Sequence, residues 1–234
     1  MNTKKIKELS DVYESVVKVL DKKVSEDEKR DYGRIICTVK GWLQEYITEE
    51  IIKLSWEEIG GDSSRLDVNS KKQKIPILKS YIEKIKDAAV KKHILSNISD
   101  YYYNLSVDKQ VFIDGTFVVG IECKAYTENA MLKSILIDFS LLKTVFPDIR
   151  CYLFQLERQL GGDYSELNKV TYGSTSMHTL LSYFPKVELN IFTFLEGERK
   201  VNHPLHKYEY FKPLKAERLK EAVTFLAADF KKFV

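Results

Sequence analysis

Apolar residues recur every three or four positions along the first part of the chain, which is the spacing that places them on one face of a helix. This pattern predicts a helix from Lys4 to Lys22, a second from Ser25 to about Trp56 and further helix between Ile77 and about Leu105. Residues 60–76 carry no helical stripe and are rich in glycine, serine and charged side chains. We therefore expect a polar loop there.

The apolar period changes to two between Val107 and Lys124, which predicts a β-hairpin. Its strands are Val107–Ile113 and Phe117–Lys124, and the Asp114-Gly115 pair between them is a frequent hairpin turn.

Helices and apolar strands alternate after the hairpin. A helix from Thr127 to Pro147 leads to the strand Arg150–Leu156, which we expect to lie parallel to the preceding strand because a helix crosses between them. A short helix at 177–183, a strand at 187–195 and a closing helix at 214–233 complete the pattern.

This order predicts an α/β (α+β) fold in which a mixed central β-sheet is flanked by helices, with a helical N-terminal region. We expect a single domain of residues 1–234. Residues 1–105 would form the mainly helical N-terminal region with its polar loop at 60–76, and residues 106–234 the core that carries the chemistry.

Composition adds few constraints. The hydrophobic share is 44% and the charged share 30%, which is typical of a soluble domain, and a net charge of +3 permits a polyanionic partner. No apolar run approaches the ~20 residues of a membrane span, so we expect no membrane partner. The first residues lack the apolar stretch of a signal peptide, and three widely spaced cysteines, Cys37, Cys123 and Cys151, suit a reducing compartment, so we expect a cytoplasmic protein.

Candidate chemistry lies in the hairpin. Glu122 and Lys124 are two residues apart, so their side chains leave a strand on the same face, and Asp114 at the turn can swing round to meet them. Two carboxylates and an ammonium can hold a divalent cation and activate water. The main-chain carbonyl of Cys123 would be a further ligand at the same strand edge.

Each of these residues also has a purely structural interpretation. Asp-Gly is explained by the turn alone, and Glu122-x-Lys124 could be a surface ion pair. Against the second interpretation, the strand is apolar up to these charges, and a buried ion pair without a function is uncommon.

The pattern Asp114…Glu122-Cys123-Lys124 resembles the metal-binding motif of the PD-(D/E)XK nuclease superfamily, and the strand-strand-helix-strand order over residues 107–156 is similar to that family's core. Two departures are Ile113 in place of proline before the acid and a short gap between the acids.

The resemblance implies phosphodiester hydrolysis that depends on Mg²⁺, with Mn²⁺ able to substitute. Asp114, Glu122 and Lys124 would be catalytic, and Asp114, Glu122 and the Cys123 carbonyl would bind the metal. An acid from an N-terminal helix joins the site in many members, for which Glu45 or Glu49 would be the candidates here.

Within this superfamily, a chain of this size without an ATPase, zinc or helix-turn-helix motif is similar to type II restriction endonucleases. That similarity implies a homodimer that cleaves a short palindrome in double-stranded DNA, in the restriction of foreign DNA. The polar loops at 60–74, 158–176 and 196–207 would then read DNA. The side chains suited to base edges are Arg65, Asn69 and Gln73, and those suited to phosphates are Lys71, Lys72, Lys74 and Arg199.

Two other hypotheses remain open from the sequence. One is a nuclease of the same fold that acts in DNA repair or phage defence without strict sequence specificity. The other is a non-catalytic DNA-binding protein that keeps the fold alone.

Overall fold

Two long helices precede a sheet whose strands are interleaved with further helices. The structure is a computed structural model and describes residues 2–25, 31–158, 174–197, 199 and 207–234 of the 234-residue chain. In chain order its helices and strands are α1 (Thr3–Ser25), α2 (Asp31–Glu58), β1 (Leu66–Asn69), β2 (Gln73–Pro76), α3 (Lys79–Lys84), α4 (Ala88–Ser96), β3 (Tyr102–Leu105), β4 (Lys109–Ile113), β5 (Thr116–Thr127), α5 (Asn129–Val145), β6 (Arg150–Arg158), α6 (Thr175–Ser182), β7 (Asn190–Thr193) and α7 (Ala216–Phe230).

The central sheet is mixed and has five strands in the order β1-β4-β5-β6-β7. The pairs β1–β4 and β4–β5 are antiparallel, whereas β5–β6 and β6–β7 are parallel. The predicted mixed central sheet is therefore confirmed, as is the parallel placement of β6 after the crossover helix α5.

Helices cover both faces of the sheet. Helices α1, α2 and α7 pack on one face, which we call the α2 face, and contribute side chains such as Tyr13, Ile51 and Phe230 to its core. Helices α5 and α6 pack on the other face, the α5 face, with Phe139 and Met177 in its core. Helix α1 buries the predicted stripe of Ile6, Leu9, Tyr13 and Val17.

A bulge in β5 decides which residues point to each face. Val111 pairs with Val119 but Phe112 pairs with Phe117, so Val118 is an extra residue opposite β4. After this bulge, Gly120 faces α5, where an added Cβ would lie 2.9 Å from a ring carbon of Phe139. Alternation along the strand then puts Glu122 and Lys124 on the α5 face as well, and Cys123 on the α2 face.

The polar loop predicted at 60–76 instead contains strands β1 and β2. In β1, Leu66 and Val68 alternate with polar residues, and the strand adds an edge to the central sheet through its pairing with β4. Polar side chains concealed this short alternation in the sequence. Strand β1 therefore connects residues 1–105 to the sheet of residues 106–234, and the division of the single domain into those two parts stays a prediction.

The helix predicted between Ile77 and Leu105 is interrupted. The carboxylate of Asp87 accepts hydrogen bonds from the N–H groups of Ala89 and Val90 and thereby begins a separate helix, α4. Beyond α4, β3 pairs antiparallel with β2 in a small second sheet. Strand β3 has only four residues, which is too short for the spacing of its apolar residues to distinguish a strand from a helix.

Candidate active site

Three charged side chains meet where β4 begins beside β5. The Lys124 ammonium lies 2.5 Å from Glu122 Oε2 and 3.0 Å from Asp108 Oδ2. The same Asp108 oxygen accepts a hydrogen bond of 2.7 Å from the backbone N–H of Cys123. Lys124 therefore bridges two carboxylates that come from different strands.

Strand register brings Asp108 to this position. Lys109, the first residue of β4, pairs with Ile121 of β5, so Asp108 is next to Glu122 across the antiparallel pair. The Glu122-x-Lys124 spacing places the second acid and the base on the same face of β5. Backbone pairing thus fixes all three residues.

Burial and mutual repulsion disfavour the ionised form of Glu122. The Glu122 side chain is 9% exposed, against 31% for Asp108 and 29% for Lys124. Burial raises the pKa of Glu122 to about 7, the negative charge of Asp108 adds to the shift, and Lys124 opposes it. Burial alone would lower the pKa of Lys124, but Glu122 and Asp108 outweigh it and raise that pKa, so the ammonium stays charged.

This donor set fits a hard divalent cation. Carboxylate and main-chain carbonyl oxygens are the ligands that Mg²⁺ prefers, and the Lys124 ammonium already holds a cation's place between the two acids. When Glu122 is ionised, the two carboxylates and the one ammonium carry a net negative charge that a cation would compensate. Since a strand residue directs its N–H and C=O to the same edge, the Cys123 carbonyl also leaves on the side of Asp108. In the part of the chain that the structure describes, no cluster of three or more His, Cys, Asp or Glu side chains is arranged around a metal position, so main-chain and water oxygens would complete the shell.

Asp114 does not converge with Glu122 and Lys124, and this corrects the expectation from the sequence. It occupies the hairpin turn with a left-handed backbone φ of 50°. Its Oδ2 accepts a hydrogen bond of 2.6 Å from Nη2 of Arg65. The Arg65 guanidinium lowers the pKa of Asp114. The turn lies roughly 20 Å along β5 from Glu122 at ~3.3 Å per residue. Asp114 therefore cannot share a metal ion with Glu122, and Asp108 takes the place expected for it.

The sequence held a signal for Asp108. It is the second residue of the predicted strand Val107–Ile113, and counting back from Glu122 across a two-residue hairpin reaches its neighbour Val107. The bulge at Val118 changes that count by one residue, which only the structure reveals.

The acids expected from an N-terminal helix also lie elsewhere. Glu49 on α2 is 3.1 Å from Lys109 and 2.9 Å from Lys53, and Glu45 is 3.7 Å from Lys109. A hydrogen bond from Lys53 is the main cause that lowers the pKa of Glu49. Lys109 pairs with Ile121 and so lies on the α2 face, whereas Glu122 lies on the α5 face. The structure therefore does not bring Glu45 or Glu49 to the site.

Most of the residues predicted to bind DNA lie along the β1–β2 edge. The Gln73 amide donates to Gln110 Oε1 at 2.7 Å, Asn69 donates to Asp67 at 2.8 Å, and the Lys74 ammonium lies 4.0 Å from the ring centre of Tyr102. Lys71 and Lys72 are exposed. Arg65 already binds Asp114 and donates to the Phe233 carbonyl at 2.8 Å.

Arg199 lies on a different part of the molecule. Its guanidinium is 3.7 Å from the ring centre of Tyr126, which is two residues beyond Lys124 on the same face of β5. Arg199, a predicted phosphate-binding residue, therefore stacks on a tyrosine that lies on the same face of β5 as Glu122 and Lys124. Most of the predicted loops at 158–176 and 196–207 lies outside the described residues.

One curated relative is similar along almost its entire length. The chain is 54% identical over 225 residues to the type II restriction enzyme DdeI of Desulfomicrobium norvegicum, and the match covers 94% of each chain. The chain belongs to the type II restriction endonucleases. No protein-family profile matches it, and no solved structure gives a significant match.

Membership of this family decides between the hypotheses that the sequence left open. The enzyme is a site-specific endonuclease that binds and hydrolyses DNA, and it requires a divalent metal ion. Its mixed sheet with flanking helices is a restriction-endonuclease-like fold. Among the described residues no helix is both long and apolar enough to cross a bilayer.

Proposed function

We propose that Asp108, Glu122 and Lys124 form the active centre in which this enzyme hydrolyses a phosphodiester bond of double-stranded DNA with Mg²⁺. The observation that carries the proposal is the Lys124 ammonium held between the carboxylates of Asp108 and Glu122. The metal would be bound by those two carboxylates and by the main-chain carbonyl of Cys123. Mn²⁺ would substitute, because it also takes oxygen ligands.

A divalent cation bound there would polarise the scissile phosphate and lower the pKa of a coordinated water. Asp108 and Glu122 would contribute the negative charge that holds it, and Glu122 would give up its proton as the cation binds. Lys124 keeps its charge because two carboxylates surround it, so it can stabilise the negative charge that develops on phosphorus oxygens in the transition state.

DNA would approach along the edge that carries β1 and β2, and it would also contact Arg199. Lys71 and Lys72 are exposed cations that suit backbone phosphates, and Lys74 beside Tyr102 offers a cation with an aromatic surface. Asn69 and Gln73 would exchange their present side-chain partners for base edges. Arg65 would reach a base edge only by breaking its ion pair with Asp114, so it is the least favoured of the proposed DNA-binding residues.

Two further features belong to the proposal. The enzyme would act as a homodimer, because a single active centre cuts one strand and a two-fold pair of centres cuts both strands of a palindrome. It would work in the cytoplasm, which suits the unpaired thiols of Cys123 and Cys151.

A digest tests the proposed function. Plasmid and phage DNA are incubated with the enzyme and Mg²⁺, Mn²⁺ or EDTA, and the Desulfomicrobium norvegicum enzyme is run alongside as a reference for a discrete pattern. We expect sharp fragments with either metal and intact DNA in EDTA. A smear would mean cleavage without sequence specificity, and intact DNA with every divalent metal would refute the proposed function.

The assignment of residues needs variants in the same digest. Lys124→Met removes the ammonium from the site, and Lys215→Met removes an ion-paired lysine from the surface, where it lies 2.7 Å from Glu196. We expect the first variant to lose cleavage and the second to retain it. Equal cleavage by both variants would remove Lys124 from the active centre.

A further inference from the structure

Gln155 is a fully buried amide in the row of side chains that contains Lys124. Strands β5 and β6 are parallel, with Glu122 opposite Leu153 and Lys124 opposite Gln155. Neighbouring strands lie about 4.8 Å apart, and residues that pair in this way point to the same face of the sheet. Gln155 therefore lies beside Lys124 on the α5 face. Its side chain is 0% exposed.

One end of this amide has a hydrogen-bond partner and the other does not. Gln155 Nε2 donates to Thr193 Oγ1 of β7 at 2.9 Å. Gln155 Oε1 has no hydrogen-bond partner among the described residues. The two heteroatoms of an amide diverge from their carbon, so an Nε2 directed toward β7 leaves Oε1 on the side away from β7, which is the side of β5 and Lys124.

The Lys124 ammonium has an N–H donor that no hydrogen bond of the described residues uses. An ammonium has three N–H donors, and two of them are used by Glu122 Oε2 and Asp108 Oδ2. These two carboxylates are the ones that would bind the metal ion. A cation bound to them would compete for the oxygens that hold Lys124 in place.

We propose that Gln155 is a positioning residue for Lys124: its amide oxygen accepts an N–H of the ammonium when Asp108 and Glu122 bind the metal ion. This proposal rests on the proposed function of the same site. Thr193 fixes the amide from β7, Gln155 holds the ammonium from β6, and Lys124 stays directed at the scissile phosphate.

An unpaired buried amide destabilises a folded protein, and for that reason such atoms are rare. Gln155 Oε1 is one of several buried polar atoms without a hydrogen-bond partner among the described residues, and its register beside Lys124 is what distinguishes it from the others. An oxygen that is paired only in the metal-bound state accounts for the vacancy.

The first test uses Gln155→Met, which keeps the length and most of the volume of the side chain but removes the amide. Cleavage is measured in single turnover with Mg²⁺, and DNA affinity is measured with Ca²⁺ so that binding is separated from chemistry. We expect a rate lower by on the order of tenfold or more, with DNA affinity nearly unchanged. A rate within twofold of the wild type would overturn the proposal.

A double-variant cycle separates positioning of Lys124 from a general structural effect. Mn²⁺ binding is measured without DNA, by the electron paramagnetic resonance of the free ion, for the wild type, Gln155→Met, Lys124→Met and the double variant. We expect Gln155→Met to weaken Mn²⁺ binding several-fold when Lys124 is present and to change it less than twofold when Lys124 is replaced. Equal effects in both backgrounds would overturn the proposal.

Thr193 supplies a second pair of variants in case Gln155→Met does not fold. Thr193→Val removes the hydroxyl that anchors the amide, whereas Thr193→Ser keeps it. We expect Thr193→Val to cleave several-fold more slowly than Thr193→Ser, and equal rates would overturn the proposal. Failure of the proposed function has a different signature, because the wild type itself would then leave DNA intact.

Discussion

Asp108 Oδ2 lies 3.0 Å from Lys124 Nζ, although sixteen residues separate the two in the chain. The antiparallel register of β4 and β5 creates this contact, and it joins the acid at the start of the hairpin to the Glu122-x-Lys124 pair near its end. The proposed active centre is therefore assembled by backbone pairing rather than by a loop. Pairing of this kind holds catalytic groups in place at little entropic cost during the reaction.

Replacement of Lys124 tests the role of the ammonium. Lys124→Met is expected to lower the single-turnover cleavage rate by on the order of a hundredfold to a thousandfold, because the group acts on charge that develops in the transition state. DNA affinity with Ca²⁺ should stay within a few-fold of the wild type. A large loss of affinity together with a normal rate for bound DNA would instead assign Lys124 to DNA binding.

Burial of Glu122 predicts a dependence of stability on pH in the metal-free enzyme. Its pKa is raised to about 7 in the folded protein, above the value near 4.5 of an exposed glutamate. The folded state therefore binds the proton more tightly than the unfolded state, and the free energy of unfolding should fall as pH rises from about 4.5 to about 7. The decrease is on the order of 3 kcal/mol at most.

This dependence can be isolated with Glu122→Gln, which removes the titrating group. Urea denaturation of both proteins in EDTA is compared at pH 5 and pH 8. We expect the stability of the wild type relative to Glu122→Gln to be lower at pH 8 than at pH 5. An unchanged difference would show that Glu122 titrates normally.

The close approach of α5 to the sheet predicts a specific effect at Gly120. A Cβ there would lie 2.9 Å from a ring carbon of Phe139, so Gly120→Ala should destabilise the protein by about 1–3 kcal/mol through overpacking. Gly41→Ala on α2 is a matched control, because a Cβ at that position meets no atom within 4 Å. The control should be stabilised by about 0.5–1 kcal/mol, since alanine favours a helix. Urea denaturation measures both, and equal effects would refute the predicted packing.

The salt dependence of DNA binding tests the edge formed by β1 and β2. Lys72 is exposed, and its replacement by alanine should weaken binding to all DNA sequences and reduce the logarithmic salt slope by about one. Lys86→Ala, on the connection between α3 and α4, provides the control. An unchanged slope for Lys72→Ala would place the DNA elsewhere.

The sequence predicted those parts of the site that depend on local spacing. Glu122 and Lys124 share a face because they are two residues apart on a strand, and the apolar run that contains them predicted the burial of Glu122, whereas Lys124 is only partly buried. The identity of the second acid could not be predicted in this way. Asp108 and Asp114 lie at opposite ends of the same strand, and the choice between them depends on pairing register and on the bulge at Val118.

Contacts between segments that are distant in the chain could not be predicted from the spacing of apolar residues either. Arg65 binds Asp114 across forty-nine residues, and no spacing in the sequence indicates that pair. Strand β1 was missed because edge strands are short and carry polar residues on one face. Gln155 gains its importance only from its register with Lys124 on a neighbouring strand.

We propose that Asp108, and not Asp114, completes the active centre. The most direct measurement compares the Mg²⁺-dependent single-turnover cleavage rates of Asp108→Asn and Asp114→Asn, two variants with the same loss of charge on the same hairpin. We predict that Asp108→Asn loses cleavage by on the order of a hundredfold or more, whereas Asp114→Asn, which breaks only the ion pair with Arg65, cleaves at nearly the wild-type rate. Normal cleavage by Asp108→Asn, with loss of cleavage in Asp114→Asn, would contradict this account.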